Sequence, residues 1–334
     1  MRVFIKSLSL KLFFLFLFPY GLSACDICGG FMGITPYDNQ SNIGLYYRLR
    51  TFSNYYGTNK NATLLPSGNF KTSHLNHDNG NTLFNEDDYE EYRVLELRGK
   101  FFLHERIEIT FSQPYYFNSS NYSGHTSYLN GTGDLSIIGG WHLVNKSNKE
   151  KFMYRLVAGL GIKLPTGNYQ KENNDEQRYS ILMQPGTGSA DLILHCNYLA
   201  GYKNLGANLI SAFRINSENK FNEKAGNGLI NNVAFFYKCI INDRWTVIPS
   251  FQNYYEYSNG IYYNDVNARL TKMNVLYSGA GVDVFYKNIQ WSCVVQVKTA
   301  EERMPGKMQS ALKITTGIVY NFSQEDFVIK SKTK

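Results

Sequence analysis

Alternation of apolar and polar residues with a period of two dominates the chain. In residues 43–49, Ile43, Leu45, Tyr47 and Leu49 fall on one face, and Gly44, Tyr46 and Arg48 on the other. In 106–112, Ile107, Ile109 and Phe111 alternate with Arg106, Glu108, Thr110 and Ser112. In 152–164 the row containing Tyr154, Leu156, Leu160 and Ile162 opposes Met153, Arg155, Val157, Gly159, Gly161 and Lys163. Successive side chains of a strand point to opposite faces, so this is a strand pattern rather than a helical one.

Twelve segments follow it: 42–52, 89–101, 105–117, 133–144, 152–164, 188–201, 205–216, 228–239, 245–257, 273–286, 289–298 and 310–322. Most are longer than the strands of soluble sheets, about 5–6 residues, and match what a tilted strand needs to cross a bilayer. Their connections alternate in length. Residues 102–104, 145–151, 202–204, 240–244 and 287–288 are short connections, whereas 53–88, 118–132, 165–187, 217–227, 258–272 and 299–309 are long. Short turns on one rim and long loops on the other predict an all-β protein, a transmembrane antiparallel up-and-down β-barrel of about 12 strands. An even strand number puts both termini on the short-turn, periplasmic side. A secreted β-sandwich would also alternate. Strand length, loop asymmetry and aromatic residues such as Trp141, Trp245, Trp291 and Tyr320 favour the barrel.

Composition adds detail to this picture. The chain carries 26 Tyr, 22 Phe and 28 Gly against 8 Pro, a balance suited to pleated surfaces and tight turns. Arg2, Lys6 and Lys11 precede the apolar run 12–18 and small residues ending at Ala24, the order of a secretory signal. The run is far shorter than the roughly 20 residues of a spanning helix. The expected organisation is a signal peptide at 1–24, a periplasmic N-terminal segment at 25–41, the barrel at 42–322 and a tail at 323–334. Removing Arg2, Lys6 and Lys11 lowers the formal charge from +7 to +4. With no dense Lys/Arg block, nucleic acid is excluded as a partner.

Phasing the strands sends Arg48, Arg50, Glu96, Arg98, Arg106, Glu108, Arg155, Lys163, Asp191 and Arg214 to the lumen, along with Lys238, Glu256, Asp283 and Lys313. These are the candidate pore-lining residues. One reading is a ladder of paired charges that fills a narrow barrel. The other is a basic lining selective for anionic or polar solutes. The interleaved acids favour pairing. Cys196, Cys239 and Cys293 phase toward lipid, where a thiol acts as a small apolar group.

Cys25 and Cys28 form a Cys-x-x-Cys at the start of the mature chain. Leu22-Ser23-Ala24-Cys25 suits lipid attachment, and Ala24 equally suits ordinary cleavage. A closed barrel needs no lipid anchor, which favours cleavage and a disulfide or thiol pair in an oxidising compartment. His142 and His195 phase inward, and His142 has no serine beside it to complete a lipase-like pair. His74 and His77 in the first long loop are weak metal candidates. No phosphate loop, dinucleotide fingerprint or zinc-protease motif occurs. No cofactor is therefore implied, and the chain does not read as an enzyme.

Three blocks stand out: Gly131-Thr132-Gly133-Asp134, Lys163-Leu164-Pro165-Thr166-Gly167 and Gln184-Pro185-Gly186-Thr187-Gly188-Ser189-Ala190-Asp191. Together with Cys25-Asp26-Ile27-Cys28-Gly29-Gly30, they resemble the transporter, or meta-pathway phenol-degradation, group of outer-membrane barrels, most nearly its Bacteroidetes-type members. Similar proteins carry a third cysteine where this chain has Gly30, which removes one ligand of any three-thiolate metal site. The resemblance implies a passive channel or transporter for small molecules and identifies no substrate. The expected partners are outer-membrane lipid and a small-molecule solute, and the oligomeric state is left open. A second reading has the barrel anchor the thiol segment for metal handling or contact with an envelope partner, without transport.

Overall fold

The computed structural model describes residues 40–56, 87–147, 152–173 and 176–322. Cys25, Cys28, His74 and His77 lie outside the described residues. The first strands are β1 (Asn42–Tyr55), β2 (Tyr89–His104), β3 (Ile107–Tyr122), β4 (His125–Thr132), β5 (Leu135–Ser147) and β6 (Phe152–Leu164). Next come β7 (Asp191–Tyr202), β8 (Leu205–Ile215), β9 (Glu223–Ala225), β10 (Gly228–Tyr237), β11 (Cys239–Ile240) and β12 (Trp245–Ser258). The chain ends with β13 (Ile261–Tyr263), β14 (Val266–Ala268), β15 (Met273–Tyr286), β16 (Ile289–Glu301) and β17 (Met308–Asn321).

Twelve of these strands close into one antiparallel barrel in the order β1-β2-β3-β5-β6-β7-β8-β10-β12-β15-β16-β17. β17 returns to β1 through pairs from Asn42↔Asn321 to Tyr55↔Met308. Closure leaves no sheet edge unpaired, the condition for a sheet to sit in hydrocarbon. Both ends of the barrel chain therefore meet on the short-turn rim. Two-residue turns there place Lys203 and Lys287 in left-handed backbone.

Burial is inverted relative to a soluble protein. On the outside, Trp141, Leu160 and Ile318 are 57%, 59% and 61% exposed, whereas the inward Lys163 and Glu256 are 1% and 0% exposed. Polar and charged side chains outnumber apolar ones among the buried described residues. No helix of the described residues is long and apolar enough to cross a membrane. The strands supply the crossing, apolar side out. Cys196, Cys239 and Cys293 are free and half-buried on strand positions of the outward phase.

The structure departs from the sequence reading mostly above the long-loop rim. Residues 118–132, expected as a loop, form a hairpin in which β4 pairs with the upper half of β3, Tyr115↔Thr132 to Tyr122↔His125. Ser123 (φ 51°) and Gly124 (φ 82°) make the turn. The hairpin stands clear of the apolar band, so neither face needs an apolar row and the alternation signal is missing. β9, β13 and β14 form a separate small sheet from the loops before β10 and after β12. In the wall, the β10–β12 ladder stops at Phe236↔Ser250 and resumes in the same register at Cys239↔Val247. Pro249, which lacks an N–H, lies in that gap.

Candidate functional site

The three sequence blocks converge on a buried clasp at the long-loop rim. Asp134 accepts hydrogen bonds from the Gly167 N–H (2.9 Å), the Thr187 N–H (2.9 Å) and the Thr187 hydroxyl (2.8 Å). Lys163 Nζ lies 3.1 Å from Asp134 and 2.5 Å from Asp191, and also bonds Thr187. Ser189 Oγ donates to Asp191 at 2.9 Å. The glycines permit close approach. A Cβ on Gly167 would sit 2.6 Å from the Gly133 carbonyl carbon, and Gly188 has φ +72° with the Tyr169 ring against it. Lys163 and Asp191 are thus committed to holding the 165–190 loop.

That loop bends over the lumen. The Asn118 side chain donates to the Met183 carbonyl at 3.0 Å, and Met183 is fully buried. Ile181 packs with Ala225 and Ile261 of the small sheet. Arg178 pairs with Glu223 and stacks over Phe221 at 4.0 Å. Burial pushes the Tyr263 phenol above its ordinary pKa, and it shares a hydrogen bond with Ser180 Oγ at 3.1 Å. Loop and small sheet together form a cap.

Beneath the cap lies a cavity of about 110 Å³ that Leu182 and Gln184 of the loop help to line. Among the described residues its wall carries Arg48, Arg50, Lys272, Lys307 and Lys313 with a single acid, Glu90. Arg50 donates to Glu256 at 3.0 Å, and Lys307 pairs with Glu301 at 3.1 Å. Lys313 Nζ sits 3.2 Å from the centroid of the Tyr254 ring, a cation–π contact. Glu90 accepts the hydroxyls of Tyr92 and Tyr122.

A second, smaller cavity of about 30 Å³ lies toward the short-turn rim, lined by Arg98, Lys100, Glu108, Arg155 and His195 among others. His142 Nε2 is 2.9 Å from Glu108 Oε2. Farther down, Leu199, Ala234, Phe236, Ile248 and Phe285 pack into an apolar cluster inside the barrel. The two cavity linings share no residue. A waist separates them. On one wall Glu96 is held by Arg48 at 3.0 Å, Arg98 at 2.8 Å and the Ser112 hydroxyl. Lower on the far wall, Asn232 bonds Gln252 and Gln252 bonds Ser250, while Ser292 and Gln290, which lines the lower cavity, bond Asp283 opposite Ile248 of the apolar cluster.

The sequence-phased residues are therefore placed as follows. Arg48 and Arg50 line the upper cavity, and Arg98, Glu108 and Arg155 the lower one; Glu96 joins them, and Arg214 is buried at 2% exposure. Arg106 differs: it sits in the exposed turn between β2 and β3, one residue before the ladder begins. Lys238 falls at the break between β10 and β11. Parity has no force in the turn that holds Arg106, which is exposed, whereas Lys238, half-exposed, keeps the register that sets it opposite the inward Ile248. Sequence reasoning missed Tyr116, Lys272 and Lys307. Tyr116 was legible as the inward partner of the outward Tyr115 and Phe117, whereas Lys272 and Lys307 lie in non-repeating loops.

No known protein family matches the chain, and no curated protein does. Solved structures do. The crystal structure of an outer membrane channel from Pseudomonas putida F1 aligns with a TM-score of 0.60 at 12% identity, over 87% of this chain and 100% of that one. The β-domain of the Bordetella autotransporter BrkA aligns at 0.44 and 11%, over 85% and 100%. Similarity at this identity concerns the fold. The chain is a closed twelve-stranded antiparallel barrel of the outer-membrane type.

Proposed function

We propose that this barrel is a channel of the bacterial outer membrane for passive passage of small solutes. The observation that carries the reading is the lumen itself: two cavities with separate linings, between which Glu96 is held by Arg48 of the upper and Arg98 of the lower. The charge pairing that fills the waist also supplies the restriction, so traffic is confined to small molecules for which it yields. The fold shared with an outer membrane channel and the resemblance to the transporter group support the same reading, with the long loops outside the cell and both termini in the periplasm. Residues 1–24 then act as the export signal. Residues 25–41, with Cys25 and Cys28, form a periplasmic segment before the barrel, and 323–334 a tail.

Reconstitution of the mature chain into liposomes tests this directly. Small sugars and amino acids should swell the liposomes faster than protein-free controls, and the rate should fall steeply with solute size. Swelling indistinguishable from controls for every solute would refute passage.

A further inference from the structure

The outer wall of the barrel carries a groove near the short-turn rim. Its floor lies where β7 and β8 set small residues across from each other, Ala200↔Ala207 and Gly201↔Gly206. One outward step toward the long loops the facing pair is Tyr198↔Leu209, and one step toward the turn it is Tyr202↔Leu205. The two alanines thus leave a gap in an otherwise bulky row. Phe152, Tyr202, Leu205, Tyr237 and Phe251 wall the groove, which encloses about 800 Å³, within the roughly 300–1,000 Å³ of ligand pockets. On the inner side the Phe236 ring takes up the space beside Gly206, so the groove is closed toward the lumen and open to lipid.

The turns at the end of the groove set the charge of its occupant. Lys203, in left-handed backbone, holds its ammonium 5.5 Å from the centroid of the Tyr202 ring. That ring is part of the groove wall, so the charge stands at its mouth. The Lys238 N–H donates to the Asn204 carbonyl at 2.7 Å, which brings the 203–204 and 238–244 turns together. Between them they carry Lys203, Lys238 and Arg244 against Asp243. Ala200 and Lys203 are three residues apart, about 10 Å of strand. A phosphate at the turn and a hydrocarbon chain over the alanines fit this spacing.

We propose that the groove binds an anionic glycerophospholipid of the periplasmic leaflet, its phosphate against Lys203 and the 238–244 turn and one acyl chain along Ala200 and Ala207. From the channel reading it takes only the orientation, short turns toward the periplasm.

Native mass spectrometry of the detergent-solubilised mature barrel titrated with phosphatidylglycerol tests it, with phosphatidylethanolamine and lipid A for comparison. Phosphatidylglycerol should bind about fivefold more tightly than zwitterionic phosphatidylethanolamine, the weight of one basic side chain at a membrane surface, and more tightly than lipid A. Lys203→Gln should abolish that preference. Lys287→Gln, which removes a lysine set in the same way over Tyr286 at 5.6 Å but outside the groove, should keep it. Ala207→Phe fills the floor and should weaken both phospholipids together; Ala200→Leu should do the same and serves if the first does not fold. Equal affinity for the two phospholipids, equal loss of preference in the two lysine variants, or unchanged binding in the filled variants overturns the proposal. Tighter binding of lipid A overturns it too, since that lipid belongs to the other leaflet. Selective lipid binding without solute-driven swelling would leave the groove standing and refute the channel, whereas swelling without selective lipid binding would do the reverse.

Discussion

The two halves of the lumen solve one problem in different ways. Toward the long loops, space is kept open: a cavity of about 110 Å³ survives, with Arg50 held back against Glu256 and Lys313 against the Tyr254 ring. Toward the short turns, space is filled: about 30 Å³ remains above an apolar cluster built on Phe236, Ile248 and Phe285. Charge pairing fixes side chains at a distance from one another, and apolar packing collapses onto itself. A barrel that admits a solute from one side and restrains it at the other needs both.

Substitutions in each half should separate these roles. The largest effect is expected at the clasp. Lys163→Met leaves Asp134 and Asp191, 3% and 1% exposed, as adjacent buried carboxylates without their cation. Breaking such a buried cluster costs about 3–5 kcal/mol. Urea titration in detergent micelles should show that loss, and limited proteolysis should cut within 165–190. Phe236→Ala removes the centre of the lower cluster and should cost about 3 kcal/mol through the cavity left behind. It should leave the 165–190 loop as resistant to proteolysis as in the wild type, since it touches only the filled half; new cleavage in that loop would mean the halves are not independent. Gly188→Ala forces a side chain into left-handed backbone against the Tyr169 ring, at about 1–2 kcal/mol, with the effect confined to the loop. Cys293→Ala, on the outward face, should shift stability by less than about 1 kcal/mol in the same titration.

The same contrast explains how much the sequence disclosed. All twelve wall strands were readable, because a strand between lipid and lumen must alternate and an apolar row marks its outer face. Inward phasing of Arg48, Glu96 and Arg98 followed from the same rule, and these three meet at the waist. The cap was not readable. Its pieces, such as Ile181 against Ala225 and Ile261, come together across long sequence separations without a repeating pattern. Lys272 and Lys307 reach the upper cavity from such loops. The Gly-Asp and Pro-Thr-Gly blocks were visible as a resemblance, and only the fold shows that they interlock around Lys163.

Removing one side of the waist tests the division of the lumen most directly. In Arg98→Ala, Glu96 keeps Arg48 and the Ser112 hydroxyl, so no buried charge is stranded, while the lower cavity gains the volume of a guanidinium. Single-channel recording in planar bilayers should show conductance several-fold above the wild-type barrel, with larger solutes now swelling liposomes. Conductance and size limit identical to wild type would contradict a waist built on Arg48, Glu96 and Arg98.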